Sequence, residues 1–330
     1  MSTGSRPSPA SRAPHSPCPA CGGVSWAVLF DDLVDRVYKV DGRFIVYACE
    51  GCGLRRLWPV PADLAAYYPD AYFTHTAPQT GGRTLKAPAL RVLWQLAHVP
   101  LGPLAAQARA LCRRSRVARE LLLSCPSASP RLLDIGCGGG AFLQRARGLG
   151  LAVAGVDADE AAVAAARSLG LDCRVGDASS ASAVIDGRFD VVRLGHVFEH
   201  LEDPAGTLAD VAALLAPRGR LVLLTPNAEG ALARAFGRDW FQLDPPRHLW
   251  GWGPGTLRRL LESAGYTVLG VHHLSEARAV YHSFRYAAEA GGETLPMRPR
   301  PAALDACDDL ATALDASGNG DSVLVVATRD

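Results

Sequence analysis

The sequence predicts an α/β fold, in which a small cysteine-containing domain precedes a seven-stranded sheet with helices on both faces. From residue 131 onward, short β-rich apolar runs alternate with Ala- and Leu-rich runs, which is typical of a parallel sheet covered by helices. The first of these runs enters a glycine-rich turn. Before it, four cysteines occur in two closely spaced pairs. The 330 residues, 48% of them hydrophobic, are enough to bury one sizeable core and a smaller satellite.

The chain divides into four sections. Residues 1–17 are mainly Ser, Pro and Arg with little to bury, so we expect a disordered tail. Residues 18–73 contain the paired cysteines and several aromatic residues, and we expect a zinc-ribbon-like domain. Residues 74–128 mix helical patches with prolines, and we interpret them as a linker with lid helices. Residues 129–330 form the α/β domain.

Seven segments of the α/β domain have the length and composition of strands. Helices follow most of the first five, and the Ala-, Gly- and Pro-rich segment between the last two is expected to be a loop with helical pieces. The predicted strands are RLLDI (131–135), LAVAGVD (151–157), LDCRVGD (171–177), FDVVRLG (189–195), RLVLLTP (220–226), YTVLGVHHL (266–274) and SVLVVATR (322–329).

The segment RLLDIGCGGGAFLQRA runs from a strand through a glycine turn into a helix. Gly136, Gly138 and Gly140 permit positive φ and a close approach of the backbone to a ligand, and the helix N-terminus adds free N–H groups. The turn suits a nucleotide-like cofactor. Because GCGGGA also fits the G-x-G-x-x-G/A dinucleotide fingerprint, a nicotinamide enzyme stays open at this point.

Three acidic residues at predicted strand ends favour a different cofactor. A carboxylate at Asp134, just before the turn, would repel a pyrophosphate and attract a cationic aminoacyl group. Asp157 is positioned to accept hydrogen bonds from ribose hydroxyls, and Asp177 to accept one from an adenine amino group. Because the turn has no basic residue, this set indicates S-adenosylmethionine.

The region 131–330 resembles class I S-adenosylmethionine-dependent methyltransferases of the ubiquinone and cell-surface-sugar type. LLDIGCGGGAFL resembles that family's first motif, GVDAD its second, GDA its third, FDVVRLGHVFEHLEDP its fourth and LLAPRGRLVLLTPN its fifth. The resemblance implies a Rossmann-like methyltransferase sheet with an antiparallel last strand and a cofactor across the strand C-termini. It also implies an enzyme that transfers a methyl group to an acceptor.

The loop GHVFEHLEDP after the fourth predicted strand is the first candidate for the reacting end. His196, Glu199 and His200 have i, i+3, i+4 spacing and would share one face of a helical turn. A histidine here can accept the proton of a hydroxyl acceptor. Two alternatives stay open: the three residues hold a divalent metal, or the turn only shapes the pocket. The quinone-biosynthesis O-methyltransferases, similar in motif order, place acidic residues and a histidine here.

The second candidate for the reacting end is the segment DWFQLDPPRHL. Two consecutive prolines make a stiff turn that presents Arg247 and His248 between aromatic residues, which suits a small hydroxylated or anionic ligand. We therefore add His248 to the catalytic candidates. The alternative is that Arg247 and His248 only tie the loop to the sheet.

The paired cysteines CPACG and CEGCG predict a structural zinc site. Cys18, Cys21, Cys49 and Cys52 form two C-x2-C pairs, and a hairpin such as DRVYKVDGRFIVYACE, with its D-G turn, fits the gap between them. Degenerate knuckles and a redox C-x-x-C pair are the alternatives. Since five basic and seven acidic residues lie between positions 18 and 73, this domain is a poor match for nucleic acid.

Partners and location follow from composition. We see no secretory signal and no apolar run long enough to span a membrane, and the cysteine usage suits a reducing compartment, so we expect a cytoplasmic protein. The tyrosine-rich stretch WPVPADLAAYYPDAYF is expected to pack as a lid or against a second subunit, which allows a homodimer.

The sequence therefore predicts an S-adenosylmethionine-dependent methyltransferase with a small-molecule acceptor. We expect transfer to an oxygen of a sugar, a quinone-type compound or a secondary metabolite. A zinc-ribbon RNA methyltransferase and a non-catalytic cofactor-binding scaffold are the alternatives; the first predicts salt-sensitive RNA binding and the second predicts no turnover with any acceptor.

Overall fold

A computed structural model of the chain describes residue 14 and residues 16–68, 87–100 and 102–329. The predicted disordered tail therefore lies almost entirely outside the described residues. So do the end of the tyrosine-rich stretch and the start of the predicted linker.

The N-terminal part forms an antiparallel sheet from β1 (Trp26–Leu33), β2 (Phe44–Cys49) and β3 (Arg55–Trp58). The hairpin predicted over residues 35–50 is wrong in its first half, because β2 pairs with WAVLFDDL instead. Asp35 explains the difference: its carboxylate accepts hydrogen bonds from the backbone N–H groups of Val37 (3.0 Å) and Tyr38 (3.1 Å), which holds this segment as a turn.

Three helices connect this sheet to the main domain: α1 (Ala87–Ala97), α2 (Pro103–Cys112) and α3 (Arg116–Ser124). We expected lid helices, but their described residues pack into the core on one face of the main sheet. Trp94 is fully buried there, and its indole N–H donates to the carbonyl of Ala128 over 2.7 Å. The apolar faces of these helices pack in the same core as residues of the main domain. The expected boundary at residue 128 therefore does not divide two separate cores.

The main sheet has seven strands, as predicted. Their order is β10-β11-β8-β7-β4-β5-β6, and β11 is antiparallel to both of its neighbours, whereas the remaining pairs are parallel. The strands are β4 (Arg131–Ile135), β5 (Ala152–Asp157), β6 (Asp172–Val175), β7 (Phe189–Gly195), β8 (Leu215–Pro226), β10 (Thr267–His273) and β11 (Ser322–Thr328).

Helices cover this sheet, and the segment between its last two strands is more regular than expected. Instead of a loop with helical pieces it contains the two long helices α10 and α11. The helices of the domain are α4 (Ala141–Leu149), α5 (Glu160–Ser168), α6 (Ala181–Val184), α7 (Pro204–Leu214), α8 (Ala231–Phe236), α9 (Pro254–Ser263), α10 (Ala277–Ala290) and α11 (Pro301–Ala316).

The small sheet is completed by the main domain. The short strand β9 (Trp250–Gly251) pairs antiparallel with Arg55 and Arg56 of β3, so the sheet order is β1-β2-β3-β9. Apolar side chains of both sheets belong to one continuous cluster of buried residues. The N-terminal part is therefore joined to the domain through a shared sheet and a shared core.

The strand order reverses beside β4, since the chain runs from β4 to β5 and β6 on one side and returns to β7 and β8 on the other. In open α/β sheets, ligands bind in the crevice outside the carboxyl ends of the strands at such a switch point. The loops after β4, β5, β6 and β7 therefore define the edge at which a site is expected.

Candidate functional site

The glycine turn after β4 has the backbone conformation that its sequence predicts. Gly136, Gly138 and Gly140 all have positive φ, at 76°, 50° and 80°. A Cβ atom on Gly136 would lie 2.2 Å from Cγ2 of Val197, and Gly140 caps the N-terminus of α4. Only glycine fits such positions without strain, and the turn consequently packs directly against the loop that follows β7.

Asp157, at the end of β5, is tied to this turn. Its Oδ2 accepts a hydrogen bond from the backbone N–H of Gly138 over 2.7 Å, and Oδ1 accepts one from the N–H of Asp159 over 3.0 Å. The carboxylate therefore fixes the turn beside the edge where a ribose was predicted to bind.

Asp177 follows β6 and is exposed. Its Oδ1 accepts hydrogen bonds from the backbone N–H and hydroxyl of both Ser179 and Ser180. The bonds from Ser179 and then Ser180 hold the pKa of Asp177 below its ordinary value. This side chain is ionised and stands at the same edge as the glycine turn.

Asp134, which we expected to attract a cationic aminoacyl group, is buried against Arg193. It is 1% exposed, and its Oδ1 accepts a hydrogen bond from Nη1 of Arg193 over 2.8 Å. Burial raises the pKa of Asp134 to about 6, even though Arg193 acts in the opposite direction. The same guanidinium pairs with the buried carboxylate of Glu120 in α3 and lies 3.9 Å from the ring centroid of Phe142.

The Glu120–Arg193–Asp134 group was missed by sequence reasoning, because its members belong to three distant segments. It lies next to the glycine turn, since Asp134 is the second-last residue of β4 and Phe142 is the second residue of α4. Asp134 is therefore held by Arg193 next to the glycine turn, and its contact with an aminoacyl group stays a prediction.

The loop after β7 brings His196, Glu199 and His200 together, although Phe198–His200 forms a single 3-10 turn. Nδ1 of His196 lies 3.3 Å from Oε1 of Glu199, and Oε2 of Glu199 accepts a hydrogen bond from the Thr225 hydroxyl over 2.9 Å. Burial alone would raise the pKa of Glu199, but His196 and His200 lower it to about 2. Glu199 is thus a buried, ionised acceptor.

His248 lies against His200, with ring centroids 4.8 Å apart. Nδ1 of His200 is 2.9 Å from the carbonyl of Arg247, and Nδ1 of His248 is 2.8 Å from the carbonyl of Gln242. A carbonyl oxygen can only accept, so each Nδ1 carries the proton and each Nε2 keeps its lone pair. Burial and then the neighbouring His248 lower the pKa of His200 to about 4.

Two further residues of this cluster come from the N-terminal part. The hydroxyl of Tyr68 lies 3.0 Å from Nδ1 of His200. Arg247, which we expected to face a ligand, is instead fully buried and paired with Asp35 and Asp244. The alternative held for this arginine, a tie for the loop, is therefore correct. Tyr68 belongs to the tyrosine-rich stretch that was expected to pack as a lid, whereas Asp35 carried no sequence signal, since it acts through an arginine 212 positions away.

A metal could be held by a different trio from the one predicted. The ligand atoms of Glu199, His200 and His248 all lie within 4.8 Å of one another, whereas His196 is not part of that group. Both histidines have their Nδ1 atoms on backbone carbonyls, the arrangement that orients Nε2 toward a metal ion. Nε2 of His196 is buried and has no hydrogen-bond partner among the described residues.

The four cysteines converge as their spacing predicts. Sγ of Cys18 lies 3.6 Å from Sγ of Cys52, and Sγ of Cys21 lies 3.5 Å from Sγ of Cys49. Zinc–sulfur bonds of about 2.3 Å in a tetrahedron require sulfurs about 3.8 Å apart. Each C-x2-C segment forms a tight turn, and the glycine that follows it, Gly22 or Gly53, has positive φ. The donor set and its spacing therefore fit a closed zinc site.

Within the ranges that the structure describes, no helix combines the length and the apolar composition needed to cross a membrane.

The chain is similar to several proteins of known sequence or structure. The chain is 32% identical over 152 residues to a ubiquinone biosynthesis O-methyltransferase of Thiobacillus denitrificans, covering 42% of this chain and 66% of that protein. It is 42% identical over 103 residues to one from Caulobacter sp., covering 29% and 41%. A solved S-adenosylmethionine-dependent methyltransferase from Mesorhizobium loti is 21% identical, with a TM-score of 0.46, covering 66% of this chain and 100% of that one.

The chain spans less than two thirds of the length of these two curated relatives. The model of a methyltransferase domain family matches residues 105–271, which is half of the 330-residue chain and includes the glycine turn, the acidic strand ends and both histidine loops. The chain therefore belongs to this methyltransferase domain family.

Proposed function

We propose that the protein transfers a methyl group from S-adenosylmethionine to an oxygen of a small-molecule acceptor. The observation that carries this proposal is the direct packing of the glycine turn against the loop of His196, Glu199 and His200, where Val197 contacts Gly136. A cofactor turn and a set of proton-accepting groups thus share one edge of the sheet. S-adenosylmethionine supplies the methyl group on a positively charged sulfur.

The residues of the turn bind and orient. Gly136, Gly138 and Gly140 let the backbone approach the cofactor, Asp157 offers its carboxylate to ribose hydroxyls, and Asp177 offers an acceptor to the adenine amino group. Asp134, in this proposal, holds the turn through Arg193. The absence of a basic side chain from the turn itself supports a cationic cofactor over a pyrophosphate.

The histidines hold and move the proton. His200 and His248 each present an unprotonated Nε2, which can accept the hydroxyl proton of an acceptor as the oxygen attacks the methyl group. Glu199, buried beside them, stabilises the positive charge that a histidine gains. Relatives described as ubiquinone biosynthesis O-methyltransferases support an oxygen acceptor of the quinone type; sugars and secondary metabolites with vicinal hydroxyls have the same chemistry.

A second candidate mechanism uses a divalent metal at Glu199, His200 and His248. Two observations favour it: one potential ligand atom of each of these residues lies within 4.8 Å of the others, and the Nδ1 atoms of both histidines are on backbone carbonyls. Metal analysis after dialysis against EDTA and re-addition of Mg²⁺, Mn²⁺ or Zn²⁺ distinguishes the two. Uptake of one ion that disappears in His248→Gln supports the metal, and metal-independent methyl transfer excludes it.

We further propose a structural zinc ion at the four cysteines and a reducing, cytoplasmic environment. Four of the nine cysteines converge as ligands of one ion, a use of cysteine that suits a reducing environment. The acidic balance of the N-terminal part supports a small molecule over RNA as the substrate.

The test of the proposed function is calorimetric titration of the zinc-analysed protein with S-adenosylhomocysteine and, separately, with NADH. We expect micromolar binding of S-adenosylhomocysteine that Asp157→Ala abolishes, whereas Asp172→Ala, at an exposed position of β6, leaves it unchanged. Binding of NADH alone would refute the proposal. Binding without methyl transfer to catechols or sugars would leave the scaffold alternative standing.

A further inference from the structure

The N-terminal part contacts the histidine cluster directly through Tyr68 and also through a buried ion pair at Arg247. Nη1 and Nη2 of Arg247 donate to Oδ2 and Oδ1 of Asp35 over 3.1 and 2.8 Å, and both side chains are 0% exposed. Arg247 also donates to the carboxylate of Asp244. The bidentate contact fixes both the position and the plane of the guanidinium.

Asp35 is itself held rigidly within its own loop. Besides the bonds from Val37 and Tyr38, Oδ2 accepts one from the backbone N–H of Val40 over 3.4 Å. The carboxylate therefore arrives at Arg247 already oriented by three backbone N–H groups. Because the Asp35 carboxylate is fixed by these local bonds, the position of the N-terminal loop determines where the guanidinium of Arg247 lies.

The main chain of Arg247 contacts the histidines directly. The carbonyl oxygen of Arg247 is the acceptor for Nδ1 of His200, and the next residue is His248. If the backbone at Arg247 rotated, the Tyr68 hydroxyl, 3.0 Å from Nδ1, would be the partner left to His200. A hydroxyl can donate as well as accept, so Nδ1 could lose its proton and Nε2 could become the protonated nitrogen. The state of Nε2 thus depends on a carboxylate from another part of the chain.

We propose that Asp35 is a positioning residue for the reaction: by clamping Arg247 it holds His200 in the tautomer whose Nε2 is free. The assignment of His200 to the reacting end rests on the proposed function, whereas the clamp itself does not. A buried ion pair adds little net stability compared with well-packed apolar residues, so retention of one here is consistent with a role in geometry. The clamp serves equally whether Nε2 accepts a proton or binds a metal.

The experiment compares Asp35→Asn, which keeps the shape but removes the charge, with Asp32→Asn. Asp32 lies in β1, three residues before Asp35, but its side chain is 57% exposed and pairs only with Arg43 among the contacts described for it. In protein labelled with ¹⁵N-histidine, long-range ¹H–¹⁵N spectra report which ring nitrogen of His200 carries the proton, and His200→Gln assigns the signals. Calorimetry with S-adenosylhomocysteine and methyl transfer to catechol are measured in parallel.

We expect His200 in the unsubstituted protein and in Asp32→Asn to be a single tautomer with the proton on Nδ1. In Asp35→Asn we expect a mixture of tautomers and a 10- to 100-fold lower kcat, the range typical when an orienting partner is lost. The Kd for S-adenosylhomocysteine should stay within about twofold, because the glycine turn is not touched. A single tautomer and an unchanged kcat in folded Asp35→Asn would overturn the proposal.

Two further outcomes keep the test decisive. If Asp35→Asn does not fold, Asp35→Glu replaces it; the charge is retained but the bidentate contact is displaced, and an unchanged tautomer in this variant would overturn the clamp. If the tautomer shifts as expected but no variant, including the unsubstituted protein, methylates any acceptor, the clamp stands and the proposed function fails.

Discussion

The two halves of the candidate site are built in different ways. The cofactor edge consists of short contiguous segments, each at the end of a strand, and Asp157 contacts the glycine turn at Gly138, 19 residues earlier in the chain. The histidine cluster is assembled from the loop after β7, the loop before β9 and the N-terminal part. A motif written in one segment can be recognised from sequence. A site assembled from three segments exists only when all of them are folded.

The comparison predicts its largest effect for Arg247→Met. Removing the guanidinium leaves the carboxylates of Asp35 and Asp244 without their buried partner, and we expect a loss of about 3–5 kcal/mol in the free energy of unfolding, measured in urea. The control is Arg258→Met, which breaks an exposed pair with Glu262 and should cost at most about 0.5 kcal/mol. Equal losses of unfolding free energy in the two variants would show that the buried ion pairs of Arg247 stabilise the protein no more than an exposed pair does.

Gly136→Ala tests the cofactor edge. The added Cβ would lie 2.2 Å from Val197 Cγ2 at a φ of 76°, so the turn must move. We expect the affinity for S-adenosylhomocysteine to fall about 100-fold, or roughly 3 kcal/mol. Gly148→Ala in α4, where a Cβ meets nothing within 4 Å, should not change it. A loss below about threefold in Gly136→Ala would contradict the role assigned to the turn.

The smallest effect concerns the charges next to the turn. Because burial raises the pKa of Asp134 from 3.8 to about 6, the folded protein binds this proton more tightly than the unfolded chain does. The stabilisation is complete below the ordinary pKa and is lost as pH rises through about 6. We expect the stability of the unsubstituted protein to fall by roughly 2 kcal/mol relative to Asp134→Asn between pH 4 and pH 7.

Urea unfolding at several pH values measures this difference, with Asp172→Asn as the exposed control. If the difference between the unsubstituted protein and Asp134→Asn does not change with pH, Asp134 stays ionised throughout. The Glu120–Arg193–Asp134 group would then be a fully compensated ion network rather than a strained support.

The fold was predictable from sequence because its signals are periodic and local. All seven predicted strands are present, and the antiparallel last strand follows the family resemblance. The ends of the strands were predicted less accurately. The strand predicted over 171–177 is shorter, Asp172–Val175, because the side chain of Asp177 accepts hydrogen bonds in the turn that follows. The two helices between the last strands were expected only as helical pieces of a loop, because the residues that connect them, GGETLPMRPR (291–300), are rich in Gly and Pro.

The candidate site was predictable only in part, for a physical reason. His196, Glu199, His200 and His248 were identified as residue types suited to proton transfer, but their partners were not. Asp35 has no sequence feature that distinguishes it from the neighbouring acids, and its function is set by an arginine 212 positions away. Arg247 was read as a surface cation because charged residues are seldom fully buried without a partner, and that partner could not be seen.

The strand β9 has a consequence for how the protein is made. The small sheet receives its fourth strand from Trp250 and Gly251, so during synthesis β1, β2 and β3 leave the ribosome long before their sheet can be completed. The two cysteine turns are local and can close early, whereas the edge of β3 stays unpaired until most of the main domain has emerged. The N-terminal part is translated first but is among the last to be finished.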